Sequence, residues 1–301
     1  MTESKIKTAV ALGSFDGLHK GHKAVLACAL SCKERGLVPI ALLFDSHPLL
    51  TLTGKAPDEI LQPEIRSEML TDMGFLIKYI SFADIHNLSP EEFFDEILIK
   101  KLNAGAVCCG SNYHFGKMGK GNADILKNLC EKNDILFLES PDISLGNELI
   151  SSSRIRQAVK EGNIPLANEM LGYEFRYRNL VTHGYERGRE LGFPTINQYF
   201  DEGFIIPKNG VYASVAVING CEFPAVTNIG LRPSFENEDI KSETNIHGYS
   251  EDLYNKIVEI RLIKYLREER KFASLNSLSE QINADTEKSL EIFSKRGVHR
   301  V

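Results

Sequence analysis

Tryptophan is absent from the 301 residues, and no apolar run approaches the ~20 residues a membrane-spanning helix needs. Any aromatic stacking on a planar ligand therefore falls to the 16 phenylalanines and 10 tyrosines, and no membrane partner is expected. Basic residues are in deficit. The 35 Lys and Arg against 41 Asp and Glu leave a net charge of −6, which argues against nucleic acid as the main partner, because binding a phosphate backbone needs a basic surface. A single nucleotide, held by local dipoles, stays open. The six cysteines (Cys28, Cys32, Cys108, Cys109, Cys130 and Cys221) form no Cys-x-x-Cys pair, so a zinc site is not expected. Most stand in apolar runs, as small buried hydrophobes do. Free thiols point to the reducing cytoplasm, and the polar stretch Met1–Lys7 gives no expectation of a signal peptide.

What is present is ordinary globular material, 43% hydrophobic and 25% charged, in a length that suits one or two domains. Up to about residue 140, apolar runs alternate with helical patterns. The runs Thr8–Leu12, Val38–Phe44, Leu76–Ile80, Ala106–Cys109 and Ile135–Leu138 predict strands. His22–Arg35, Pro63–Met73, Pro90–Leu102 and Asn122–Lys132 predict helices. This alternation implies βαβ units and a parallel sheet, whose ligands sit at the carboxyl ends of the strands. His19 and His22 follow the first strand, Asp45 and His47 the second, and Asn112 a later one, so these loops are expected to meet at one crevice.

The first of those loops is the most informative stretch: Gly13-Ser14-Phe15-Asp16-Gly17-Leu18-His19-Lys20-Gly21-His22. A glycine-rich turn between a strand and a helix N-terminus presents backbone N–H groups and the positive end of the helix dipole to phosphate. His19 and His22 add side-chain donors for a triphosphate, and Gly21 gives the phosphate room to approach. Phosphoryl transfer between two phosphates needs positioning and charge stabilisation rather than a nucleophilic side chain. Further on, Ile150-Ser151-Ser152-Ser153-Arg154-Ile155-Arg156 reads either as a helix N-cap with spare hydroxyls or as a loop closing on the outer phosphates through Ser152, Ser153 and the planar fork of Arg156. Two helices, Ser152–Lys160 and Ile164–Leu171, close this half.

After Gly172 the pattern changes. Phe175–Thr182, Gly210–Val217, Glu222–Asn228 and Lys256–Leu262 read as short strands between Gly, Pro and Asn turns, with no alternating helix. That suggests an antiparallel barrel, followed by a last helix, Leu278–Ser294. Gly188-Arg189-Glu190-Leu191-Gly192-Phe193-Pro194-Thr195-Ile196-Asn197 reads either as an ordinary turn or as a ligand loop. The oxygens of Thr195 and Asn197, two residues apart on an extended segment, face one side and suit Mg²⁺ beside phosphate oxygens.

The blocks Gly13–His22 and Ser151–Arg156 resemble the nucleotidylyltransferase superfamily with an HxGH motif. Over about Thr8 to Ile282 the chain resembles more closely the prokaryotic bifunctional riboflavin kinase/FMN adenylyltransferase (FAD synthetase) family. Phe44-Asp45-Ser46-His47-Pro48 and Gly110-Ser111-Asn112-Tyr113-His114-Phe115-Gly116 are similar to further blocks of its first domain. Asn228–Phe235 and Tyr265–Phe272 are similar to kinase-domain blocks.

The resemblance implies a Rossmann-like α/β adenylyltransferase domain over 1–174 and a β-barrel riboflavin kinase domain with a C-terminal helix over 175–301. The barrel would phosphorylate riboflavin to FMN with ATP and Mg²⁺, and the first domain would join AMP from ATP to FMN, giving FAD and pyrophosphate. In the first domain it implies ATP contacts from Gly13, Phe15, Asp16, Gly17, His19, Gly21, His22, Ser152, Ser153 and Arg156, and FMN contacts from His47 and Asn112. In the kinase it implies ATP contacts from Gly188, Arg189, Gly192, Pro194, Thr195 and Asn197, with Thr195 and Asn197 at Mg²⁺. Flavin contacts fall to Asn228, Arg232, Arg267 and Phe272, and Glu243 is the general base. The expected state is a monomer or weak homo-oligomer. A kinase with a regulatory N-terminal domain, an adenylyltransferase for another substrate, and a flavin-binding protein without turnover are the alternatives. Two positions depart from the family pattern: Asn245 follows Thr244 where histidine is usual, and Asn255 follows Tyr254 where glycine is common.

Overall fold

The computed structural model describes residues 6–183, 193–233 and 238–296. They divide into two compact units, Met1–Ser152 and Ser153–Val301.

The first unit opens with β1 (Thr8–Leu12), α1 (Lys20–Ser31) and β2 (Val38–Phe44). A 3₁₀ turn, Cys32–Arg35, ends α1 where a single helix is predicted. Next come α2 (Pro48–Thr53), α3 (Pro63–Asp72), β3 (Leu76–Ile80), α4 (Phe82–Ile85) and α5 (Pro90–Glu92). The chain from Phe93 to Lys101 winds as a π-helix, so the predicted helix 90–102 exists with two windings. β4 (Ala104–Gly110), α6 (Ala123–Lys132) and β5 (Leu136–Ser140) follow, then the small hairpin of β6 (Ser144–Leu145) and β7 (Glu148–Leu149).

The sheet order is β3-β2-β1-β4-β5, all parallel. Every residue of β1 is buried, because helices cover both faces of a parallel sheet. Val10, Leu12, Leu42, Val107 and Cys109 pack against Phe94, Ile97, Leu98, Leu126 and Cys130. The sheet grows one way from β1 to β3 and then the other way through β4 and β5. The strand order therefore reverses between β1 and β4, the switch point at which open α/β sheets bind ligands.

The second unit begins with α7 (Ser152–Lys160), whose Ser152 belongs by compactness to the first unit, and α8 (Ile164–Leu171). A six-stranded antiparallel sheet follows, of β8 (Arg176–Leu180), β9 (Thr195–Tyr199), β10 (Gly210–Ile218), β11 (Cys221–Pro233), β12 (Glu238–Ile246) and β13 (Ile257–Arg267). Its order, β8-β13-β10-β11-β12-β9, returns β9 to β8 through a Thr182–Asn197 bridge, so the sheet nearly closes. The barrel interior carries hydroxyls as well as hydrocarbon. Ser214, Thr227 and Thr244 are fully buried and bond side chain to side chain at 2.7 and 2.9 Å, which meets the demand that buried polar groups be paired. α9 (Leu275–Lys295) lies against β10 and β11, with the Ser289 hydroxyl donating to the Ala225 carbonyl at 2.7 Å.

Candidate active sites

In the first unit, His19 and His22 follow β1, His47 caps α2 just after β2, and Asn112 stands in the turn after β4. These three strands are neighbours in the sheet, so the three loops gather at its carboxyl edge as expected, astride the switch point.

The His-x-Gly-His spacing has a local cause. His19 is the N-cap of α1, and its Nδ1 accepts the His22 backbone N–H at 3.2 Å. With Nδ1 an acceptor, the neutral ring carries its proton on Nε2. The two imidazoles stack at 3.7 Å and 16°. A β-carbon on Gly21 would come within 3.1 Å of the His19 ring, so glycine is what lets that ring lie over the first turn. Gly21→Ala is expected to displace His19 and lower the adenylyl transfer that the resemblance implies for this turn about 10- to 100-fold, an effect of misplacement by a fraction of an ångström. Initial rates of FAD formation from FMN check this, with FMN formation as the internal reference.

Burial first, then His19 and Arg66, hold the His22 imidazole well below its ordinary value. Among the described residues its buried Nδ1 has no hydrogen-bond partner, and neither has Nε of the buried Arg66 on α3. Arg66 was not singled out by the sequence, in which an arginine within a polar helix pattern is unremarked. The neutral folded ring sets a sign for stability. Below the free imidazole value of about 6.5 the unfolded chain takes up a proton that the folded ring refuses, so stability falls as pH drops through that value. Urea denaturation at about pH 7 and pH 5.5 is expected to show a steeper acid loss for the native chain than for His22→Asn.

The rest of the turn is held by structure. Gly17 has φ of 79°, and a side chain there would meet Ile60. The Asp16 carboxylate accepts the Ile60 N–H at 2.9 Å, and the Asp16 carbonyl accepts the Ser152 hydroxyl at 3.1 Å. Asp16 thus pins the loop to the chain entering α3. Phe15, at φ 51°, sets its ring edge-on to His22 at 5.5 Å and fills the space over Gly13. His47 turns its Nδ1 to the Leu49 N–H at 3.1 Å, and Asn112 is exposed. Ser153 and Arg156 lie in the first two turns of α7.

In the barrel, strand register brings three of the predicted residues into one row. Glu243 on β12 stands opposite Asn228 of β11 on one side and Asn197 of β9 on the other. A cavity of about 350 Å³ is lined by Thr195, Asn228, Glu243, Arg267 and Phe272, among others. A second, of about 300 Å³, is lined by Pro194, Thr195, Ile196, Thr244 and Tyr254, among others. Thr195 lines both. Gly188, Arg189 and Gly192 lie outside the described residues. Arg232 stands opposite Asp239 in the β11–β12 register.

Several of these side chains already have work. Arg267 bonds the buried Asp285 of α9 at 2.7 Å and lies 5.8 Å from the centre of the Phe272 ring, so it ties the terminal helix to the cavity wall. Asn228 donates to Glu269 at 2.7 Å while its buried Oδ1 has no partner among the described residues, an acceptor suited to an N–H or O–H of a ligand. Lys241, another residue the sequence did not signal, is buried. Its ammonium contacts the Glu243 carboxylate and donates to Asn197 Oδ1 at 2.6 Å. Both departures from the family pattern have a local explanation. Asn245 donates to the Pro194 carbonyl at 2.7 Å, anchoring the approach to Thr195. Asn255 takes the left-handed φ of 59° that glycine would otherwise supply.

Among the described residues no group of three or more His, Cys, Asp or Glu could cage a metal. The oxygen set of Thr195, Asn197 and Glu243 still suits a hard cation that arrives with phosphate ligands of its own. A lysine ammonium on Asn197 Oδ1 shows that this oxygen accepts a positive partner. No helix among the described residues is long and apolar enough to cross a membrane.

Comparison with known proteins agrees in both halves. A family model described as FAD synthetase matches residues 1–154, and one described as riboflavin kinase matches 171–293. A bifunctional riboflavin kinase/FMN adenylyltransferase of Bacillus subtilis is 34% identical, covering 97% of this chain and 94% of its own. That of Listeria monocytogenes is 32% identical over 96% of this chain and 94% of its own. A solved structure from Streptococcus pneumoniae, described as a macrolide-efflux protein, superposes with a TM-score of 0.87 at 31% identity, covering 95% of this chain and 94% of that one. The chain belongs to the bifunctional riboflavin kinase/FMN adenylyltransferase family.

Proposed function

We propose that this chain phosphorylates riboflavin to FMN in its barrel and adenylylates FMN to FAD in its parallel α/β unit. The observation that supports the reading is a phosphate-binding type of constellation in each of the two units. One is the His19–His22 turn at the sheet's switch point, and the other is the Asn228–Glu243–Asn197 row on a cavity. The functional boundary is drawn between residues 174 and 175.

In the barrel, the cavity with Phe272 takes the flavin and the one with Tyr254 takes the nucleotide. Thr195, common to both linings, stands where the reacting ends meet. Glu243, its side chain 40% exposed, accepts the proton of the flavin 5′-hydroxyl. The freed oxygen bonds to the γ-phosphorus of ATP as the bond to the β-phosphate oxygen breaks, and ADP leaves. Thr195 and Asn197 would hold Mg²⁺, which would neutralise charge on the phosphates.

In the first unit no general base is required, since the attacking FMN phosphate is already anionic. Its oxygen bonds to the α-phosphorus of ATP and pyrophosphate departs. His19 donates from Nε2, and with His22 and the α1 N-terminus it stabilises charge on the phosphates. Ser152, Ser153 and Arg156 close on the outer phosphates, and His47 and Asn112 hold FMN. In the barrel, Asn228, Arg232, Arg267 and Phe272 hold the flavin, and Gly188, Arg189, Gly192 and Pro194 the nucleotide. The enzyme works in the cytoplasm as a monomer or weak homo-oligomer, without nucleic acid.

Chromatography of flavins formed from riboflavin, ATP and Mg²⁺ tests the reading. FMN followed by FAD is expected. FMN alone would leave only the kinase, and bound but unchanged riboflavin would leave only a binding protein.

A further inference from the structure

Lysine is among the residues least often buried, and an ammonium withdrawn from water costs several kcal/mol unless it is paired. The Lys241 side chain is only 5% exposed. It stands two residues before Glu243 on β12 and so on the same face, opposite Tyr199 in the register. Its Nζ meets the Glu243 carboxylate at Oε1 and reaches diagonally to Asn197 Oδ1 at 2.6 Å.

Glu243 and Asn197 are directly opposed across the strand pair. Two acceptors so placed repel and would turn apart. One donor-only cation between them reverses this. It holds both oxygens inward, and because an ammonium cannot accept a hydrogen bond it forces the Asn197 amide to present Oδ1 rather than Nδ2. Lys241 engages Glu243 through Oε1 and Asn197 through Oδ1, and among the described residues no further hydrogen bond falls on Glu243 Oε2.

We infer that Lys241 is a positioning residue of the kinase site, setting the carboxylate of Glu243 and the amide oxygen of Asn197 for proton removal and phosphate-side contact. The inference rests on the reading of Glu243 as the general base. It differs from a purely structural role because the larger part of its effect must pass through Glu243, its ion-pair partner.

Lys241→Met is expected to lower kcat for FMN formation about 10- to 100-fold while the riboflavin KM stays within about threefold. Riboflavin affinity without ATP or Mg²⁺, read by flavin fluorescence, is expected to stay within about threefold, because the flavin wall is untouched. Lys241→Arg, which keeps cation and donors, restores most of kcat. In a Glu243→Gln background, Lys241→Met adds little further loss, since coupled residues are not additive. FAD formation from added FMN is unchanged in each case.

A raised KM at normal kcat, or losses that add in the double variant, overturns the inference. So does loss of riboflavin binding in both Lys241→Met and Lys241→Gln, which makes the residue structural. If Glu243→Gln itself keeps FMN formation, the general-base reading has failed. If Glu243→Gln loses it and Lys241→Met does not, this inference alone has failed.

Discussion

Glu243→Gln is expected to lower FMN formation by about 10²- to 10⁴-fold, the range a positioned general base contributes. It is expected to leave FAD formation from added FMN at the native rate. The substitution keeps size and hydrogen-bonding reach and removes only the proton acceptor. Glu243 is partly exposed and lies on the outer face of β12, in the row with Asn228 and Asn197, so the barrel core is not disturbed. Riboflavin affinity should change little, because glutamine keeps the size of the side chain in the cavity lining and the other lining residues are unchanged. Initial rates of the two reactions, measured separately on one preparation, check the result. A parallel fall in both would place Glu243 in the fold rather than in the chemistry.

The mirror result is expected of His22→Ala. FAD formation falls about 10²- to 10³-fold, the loss typical of removing one donor from developing charge, while FMN formation stays at the native rate. The ring is held neutral by burial and by its basic neighbours. Its contribution is therefore a fixed dipole and a surface for His19, with which it stacks, rather than a positive charge. Raising the pH from about 7 to 8.5 should not reduce FAD formation through this residue, because an imidazole that is already neutral has no proton to lose there. His22→Ala also removes the platform on which the His19 ring lies, so a compensating change at His19 is not expected to restore the rate.

The α/β half was readable from the sequence because its signals are apolar and periodic. Thr8–Leu12, Val38–Phe44 and Leu76–Ile80 are strands at the residues where the apolar runs place them, and Ser152–Lys160 and Ile164–Leu171 are helices likewise. Where winding changes inside a helix, as at Cys32–Arg35 and Phe93–Lys101, side-chain periodicity alone does not distinguish 3₁₀ or π from α.

The barrel was less legible, for a physical reason. β12 carries Ser242 and Thr244 inward and Lys241, Glu243 and Asn245 outward. Its buried face is satisfied by the Ser214–Thr227–Thr244 hydroxyl ladder, so no apolar alternation marks it as a strand. β9 is hidden similarly by Asn197 and Gln198, both buried; the Gln198 amide donates to the Asn179 and Val258 carbonyls.

The site shows the same division. His19, Gly21 and His22 are legible because a glycine between two histidines at a strand-to-helix turn has few other uses. Lys241 and Arg66 are not, because a basic residue in a polar stretch looks like surface until the fold buries it. Arg267 was read as a flavin contact, and its guanidinium is bonded to Asp285, a partner 18 residues away that no local pattern announces.

The claim at the centre of this account is that two reactions run at two sites which need nothing from each other but FMN. Mixing His22→Ala with Glu243→Gln tests it most directly. Either variant alone should convert riboflavin, ATP and Mg²⁺ to FAD at no more than about a hundredth of the native rate, and the equimolar mixture should do so far faster, with FMN made by the first and consumed by the second. FAD at the native rate from either variant alone, or no gain from the mixture when both chains are folded, would contradict it.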